Sequence, residues 1–131
     1  MRSSARETVF KFIFSKLFNP DDEGLFDVLS SSLENDDDKR FAADLLGFVA
    51  ENNKRYEDKI TALSSNFRFN RIFKTDVCAI KIGMAELENF TETPVAVAID
   101  EAVKLSVKYS TEKSPDFVNG VLAAFAKELK R

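Results

Sequence analysis

A chain of 131 residues, 44% of them hydrophobic, is long enough to bury a core without a disulfide or metal to hold it. Its single cysteine, Cys78, excludes an internal disulfide and a cysteine-based zinc site, and the absence of histidine removes the commonest general base. The net charge of −3 is unevenly spread: residues 1–18 and 54–83 are basic and 19–53 strongly acidic, which fits a local anionic ligand and not a uniformly basic DNA binder.

No apolar run approaches the ~18 residues of a membrane span, and the N-terminus lacks the order of a secretory signal. The expectation is a cytoplasmic protein. Ser4-Ala5-Arg6-Glu7 reads as a capping box, predicting a first helix from Ser4 with Ala5, Val9, Ile13 and Leu17 as its apolar stripe, widened by Phe10 and Phe14. Asn19-Pro20-Asp21-Asp22 stops it. A short helix around 24–34 is expected to turn Leu25, Val28, Leu29 and Leu33 inward. Asn35 caps a third helix, whose inner side is Phe41, Leu45, Phe48 and Val49. After the break at Asn52-Asn53 a fourth runs through Tyr56, Ile60 and Leu63.

From Val77 to Leu87 almost no polar face remains, as expected of a central helix packed on several sides. Thr93-Pro94 and Ser114-Pro115 each read as an N-cap followed by proline at the first helical position. The last helix turns Val118, Val121, Leu122, Phe125 and Leu129 to the core. Gly47, Gly83 and Gly120 fall inside predicted helices, where each costs ~1 kcal/mol relative to alanine, and are read as close helix approaches. The fold class expected is all-α, with seven helices. No phosphate-binding glycine loop, nucleophile elbow or metal-ligand cluster is present, so an enzyme is not expected. Asp36, Asp37 and Asp38 are read as first-turn carboxylates and not a metal site, and Cys78 as a small buried hydrophobe.

The stretch Pro94-Val95-Ala96-Val97-Ala98-Ile99-Asp100-Glu101-Ala102-Val103-Lys104-Leu105-Ser106 resembles the P-x-x-V-A-I-x-E-A-V-x-L-A pattern of the NusB family of transcription antitermination factors. Phe117-Val118-Asn119-Gly120-Val121-Leu122 resembles its F-V-N-G-V-L signature, and Asp76 through Leu87 its D-x-x-I-L-R-x-A-x-Y-E-L segment. Phe67 to Arg71 resembles the W-x-x-x-R before it, and Arg2 to Glu7 the R-R-R-A-R-E opening, with Ser3 and Ser4 replacing two arginines. The resemblance implies one domain over 1–131, with two three-helix sub-bundles, about 1–65 and 66–131, packed around the central hydrophobic helix. It implies binding of boxA-like single-stranded RNA together with the small-subunit ribosomal protein S-ten, within a transcription elongation complex that reads through terminators, notably in ribosomal RNA operons. No cofactor and no metal are implied. Family members also self-associate through the RNA-binding side, so a homodimer is compatible.

On that resemblance Arg2, Arg6, Phe14 and Phe117 are the RNA-binding candidates. The two arginines would meet phosphate at a helix N-terminus, and the two rings would stack on bases. Glu86 is the candidate for the protein-partner interface, where charge reversal is expected to weaken binding at an unchanged melting temperature. Replacing Arg2 and Arg6 by alanine is likewise expected to preserve the fold. Asn119 is read as a buried amide cross-linking backbones, and Arg71 and Asp76 as structural contacts at the start of the central helix. The aromatic-basic run of Phe67, Arg68, Phe69, Arg71, Phe73 and Lys74 lacks the strand pattern of an RNA-binding sheet. A second reading, motivated by Ser3, Ser4 and by Ala85 in place of the family tyrosine, is a protein-interaction module with weakened or lost RNA binding.

Overall fold

The computed structural model describes residues 2–21, 23–64 and 71–131, and among them seven helices and no strand. They are α1 (Arg2–Lys16), α2 (Leu25–Ser30), α3 (Asp36–Glu51), α4 (Asn53–Leu63), α5 (Lys74–Asn89), α6 (Val95–Tyr109) and α7 (Ser114–Glu128). The all-α expectation holds element by element. Every residue from Asp76 to Leu87 is buried, and α5 packs against α1, α3, α4, α6 and α7. An all-round apolar helix has no stable place except inside, so the rest of the chain is arranged about it.

The predicted inner faces are mostly observed. Ala5, Val9 and Phe10 of α1, Phe41, Leu45 and Val49 of α3, Tyr56 and Ile60 of α4, and Val118, Val121, Leu122 and Phe125 of α7 are all buried. The short second helix differs: none of its residues is buried and Val28 is exposed, leaving Leu33 just beyond it as the residue that enters the core. Leu17, the last member of the predicted α1 stripe, lies past the helix end and is exposed.

Three helix starts also differ from expectation. Helix α1 begins at Arg2, so the Ser4 capping box does not form. Glu7 turns instead to Lys108 and Tyr109 of α6, because a carboxylate gains more from a cation and a phenol than from one backbone amide. Helix α6 begins at Val95, with Pro94 in the N-cap position and its carbonyl accepting from Val97 and Ala98. Helix α7 includes Ser114, whose hydroxyl accepts from the Thr111 amide at 3.2 Å while donating to Asp76. Asn35 does cap α3, its side chain accepting from the Asp38 amide at 2.8 Å.

Of the three helical glycines, only Gly83 marks a close approach. A Cβ there would lie 2.5 Å from Leu122 Cδ1 and 3.2 Å from the Ala102 Cβ, whereas at Gly47 and Gly120 it would meet nothing within 4 Å. Gly83 therefore lets α6 and α7 seat on α5. In urea denaturation, Gly83→Ala is expected to destabilise the protein by ~1–3 kcal/mol through overpacking. Gly120→Ala is expected to stabilise it by up to ~1 kcal/mol through helix propensity. A Gly83→Ala variant as stable as the parent would show that the helices separate freely at that point.

Candidate nucleic-acid interface

The predicted site residues fall into two groups at opposite ends of α5. At the C-terminal end, Arg6 Nε donates to Glu86 Oε1 at 2.7 Å and Arg6 Nη2 to Glu86 Oε2 at 2.5 Å. Arg6 is 4% exposed and Glu86 0%. The two side chains that the sequence assigned to separate ligands are thus each other's partner. Neither stands on the surface as expected, because a bidentate guanidinium–carboxylate pair is the arrangement that lets both charges leave water.

The pair sits in a wider charge cluster. Arg6 Nη1 lies 3.6 Å from Glu101, Ser3 Oγ donates to both Glu101 carboxylate oxygens at 3.0 Å, and Lys104 bridges Asp100 at 3.2 Å and Glu101 at 3.8 Å. Arg2 stands over the Phe41 ring at 4.5 Å and reaches Glu92 at 3.7 Å. It keeps 38% of its side chain exposed, against 5% for Arg6. The basic N-terminal segment is therefore offset in space by carboxylates from α5, α6 and the turn between them.

At the other end of α5 the second group is aromatic. Phe10, Phe14 and Phe18 form a ladder along α1, with ring centroids 6.1 Å and 5.3 Å apart, and Tyr109 stacks on Phe10 at 4.8 Å. Lys74, the first residue of α5, lies over the Phe18 ring at 5.3 Å. Phe117 is half-buried and lines a cavity of about 570 Å³ together with Ile72, Phe73, Arg71 and Lys113. Asp76 forms its polar floor, accepting from Ser110 Oγ at 2.6 Å and from Ser114 Oγ at 2.9 Å. Asp76 is structural as expected, while Arg71 is exposed at the cavity rim.

Phe14 and Phe117 thus approach the start of α5, and Arg2 and Arg6 its end, about 20 Å away at 1.5 Å per residue. Asn119 differs from expectation: it is exposed on α7 and is not a buried cross-link. The cavity cations Arg71 and Lys113 were not separable from solvated surface charge by sequence, since only folding brings them to one cavity with Phe117 and Glu112. Phe67, Arg68 and Phe69 of the aromatic-basic run lie outside the described residues. Among the described residues no group of three His, Cys, Asp or Glu is placed to hold a metal ion. Burial pushes the Cys78 thiol up to about 12, which holds it in the unreactive protonated form.

Comparison with known proteins identifies the family and the fold. The NusB family model matches residues 3–127. A transcription antitermination protein NusB of Natranaerobius thermophilus is 30% identical over 135 residues, covering 99% of this chain and 97% of that one. A solved structure of NusB from T. maritima superposes with a TM-score of 0.91 at 28% identity, over 98% of this chain and 92% of that one. A chain from a solved complex of antitermination factors NusB and NusE with double-stranded RNA gives a TM-score of 0.83 at 26% identity, over 97% and 96% of the two chains. The fold and the two ends of α5 define an all-helical binding domain with an aromatic end, whose cavity is lined by charges of both signs, and a charge-compensated end. The chain belongs to the NusB family.

Because the Arg6–Glu86 pair is buried, truncating one partner strands the other charge, which destabilises by ~3–5 kcal/mol. Glu86→Lys and Arg6→Ala are both expected to lower the melting temperature, contrary to the surface expectation. Arg2→Ala is expected to leave it within a degree or two. A Glu86→Lys protein melting with the parent would remove the pair from any structural role.

Two further carboxylates tie stability to pH. Hydrogen bonds from Lys108 and then Tyr109 hold Glu7 below its ordinary 4.5. Burial pushes Glu88 up, but donors Arg55 and Tyr56 outweigh it and hold it below 4.5 as well. A folded-state value below the unfolded one gives stability that is full above the unfolded value and lost as pH falls through the folded one. Urea midpoints are therefore expected to decline below pH 4.5, and less steeply in a Glu7→Gln, Glu88→Gln double variant. Identical acid profiles for parent and variant would discount these two groups.

Proposed function

We propose that this chain is a cytoplasmic transcription antitermination factor that binds boxA-like single-stranded RNA together with NusE, the small-subunit ribosomal protein S-ten, within the elongation complex. It acts by binding and carries out no bond chemistry. The observation that carries the RNA half of this reading is the cavity at Phe117. Phe73 and Phe117 line it with the cations Arg71 and Lys113, so a base is offered a stacking face and its phosphates two cations, with Glu112 and the Asp76 floor keeping the net charge low. Phe14 and the exposed part of Arg2 extend that contact along α1, so a strand laid from one end of α5 to the other meets rings first and a guanidinium last. Arg6 serves this surface from beneath, by fixing the start of α1 through Glu86.

The partner protein is assigned to the exposed apolar side chains Leu17 and Phe18 near the start of α5, since large apolar groups left in water mark contact surfaces. Glu86 then influences partner binding only through the position of α1. The two sub-bundles, about 1–65 and 66–131, are proposed as the units that α5 joins, with α4 reaching across to pack on α5 and α7.

A second reading, an interaction module with weakened RNA binding, is favoured by the charge-compensated N-terminal cluster, where Arg2, Arg6 and Lys104 already face Glu92, Glu86, Glu101 and Asp100. Titration with boxA-like RNA, with and without S-ten, separates the two. The first reading expects tighter binding with the partner present and a log–log salt slope of roughly −2 to −3, at ~0.7 per phosphate neutralised. Phe117→Ala is expected to weaken binding by ~1–3 kcal/mol. Equal affinity for scrambled or duplex RNA would reject sequence-specific single-strand readout, and no binding under either condition would establish the second reading.

A further inference from the structure

A second cavity, of about 530 Å³, lies among α1, α3, α4 and α5, sharing Ile72 with the first and Leu17 with the proposed partner surface. Its size falls within the roughly 300–1,000 Å³ of small-molecule sites. One wall is apolar, formed by Phe12, Ile13, Leu46 and Val49. The other end is polar and built: Lys81, 6% exposed, donates from Nζ to Asn53 Oδ1 at 2.6 Å and to Glu57 Oε2 at 2.8 Å. An ammonium has three N–H donors, so after these two bonds one donor remains. The Asn53 side-chain NH₂ stands beside it, its oxygen already engaged by Lys81.

The charge around the cavity is one-sided. Lys16, Lys74 and Lys81 line it against the single carboxylate of Glu57, which is ion-paired with Lys81 at 2.8 Å and leaves Lys16 and Lys74 as the surplus. Lys16 Nζ donates to the Pro20 carbonyl at 2.8 Å, and no carboxylate among the described residues lies within ion-pair distance of it. Lys74 lies over the Phe18 ring, which likewise brings no counter-ion. An apolar wall, a buried cation at its polar end and surplus positive charge together select a ligand with an apolar body and one anionic head. We propose that this cavity binds an amphipathic monoanion of the alkyl carboxylate class, its carboxylate received by Lys81 and Asn53 and its chain lying against Ile13, Leu46 and Val49.

Calorimetric titration of the full chain with decanoate, decanol and decyltrimethylammonium, all below their aggregation concentrations, tests this. Decanoate is expected to bind at least tenfold more tightly than either of the other two and to raise the melting temperature. Ala50→Trp places an indole in the cavity from its exposed rim without touching the charges, and is expected to weaken decanoate at least tenfold. Lys81→Met is expected to abolish the preference for the carboxylate over the alcohol. Should that variant fail to fold, the head-group series and Ala50→Trp decide the matter alone. Equal binding of decanoate and decanol to the parent would overturn the charge argument, and undiminished binding to Ala50→Trp would overturn the location.

Discussion

A helix enclosed on every side can carry charge only where a neighbour meets it, and α5 does so three times. Asp76, Lys81 and Glu86 are its buried ionisable residues. They stand five positions apart, which at 3.6 residues per turn rotates each by roughly 140° from the last. The three side chains therefore leave α5 in three directions. Asp76 meets Ser110 and Ser114 where α6 passes into α7, Lys81 meets Asn53 and Glu57 of α4, and Glu86 meets Arg6 of α1. Each of these contacts is directional and expensive to leave unmade in a desolvated interior. Hydrophobic burial gathers the helices; the three polar contacts specify which helix sits on which side.

The same arrangement explains the division of labour along the molecule. Arg6 and Glu86 join the N-terminal end of α1 to the C-terminal end of α5, which sets the two helices antiparallel. The aromatic ladder of α1 then descends to the start of α5, beside Lys74 and near the cavity of Phe117. A buried ion pair at one end thereby positions stacking rings at the other, although the two ends are about 20 Å apart. The exposed apolar residues Leu17, Phe18 and Phe73 collect at the aromatic end, where Arg71 and Lys113 share a cavity with Glu112 and Asp76, while the opposite end is dense in mutually satisfied charge.

That distribution bears on binding strength. Coulombic attraction to a phosphate depends on net local charge, and carboxylates within 4 Å of a guanidinium cancel most of it. The N-terminal cluster is thus poorly suited to steer an anion from a distance. Stacking on a half-buried ring does not suffer the same cancellation, since it depends on contact area and desolvation. On the proposed reading, a strand is held mainly at the rings, with Arg2 adding a short-range contact.

Helix content, the central position of α5 and most inner faces were legible in the sequence, because periodic burial is a local property written at spacings of three and four residues. The family patterns around Pro94 and Phe117 were legible for the same reason, being contiguous. What only the tertiary structure decided is the fate of the charged and polar side chains. Arg6 and Glu86 are 80 positions apart, and nothing in either segment announces that they pair. Glu7 fits a capping box as well as it fits Lys108 and Tyr109, and Gly83 is indistinguishable from Gly120 until Leu122 is brought against it. Linear sequence determines which residues must leave water; the packing of distant helices determines which charges are free to meet a ligand, because a counter-charge acts through space and not along the chain.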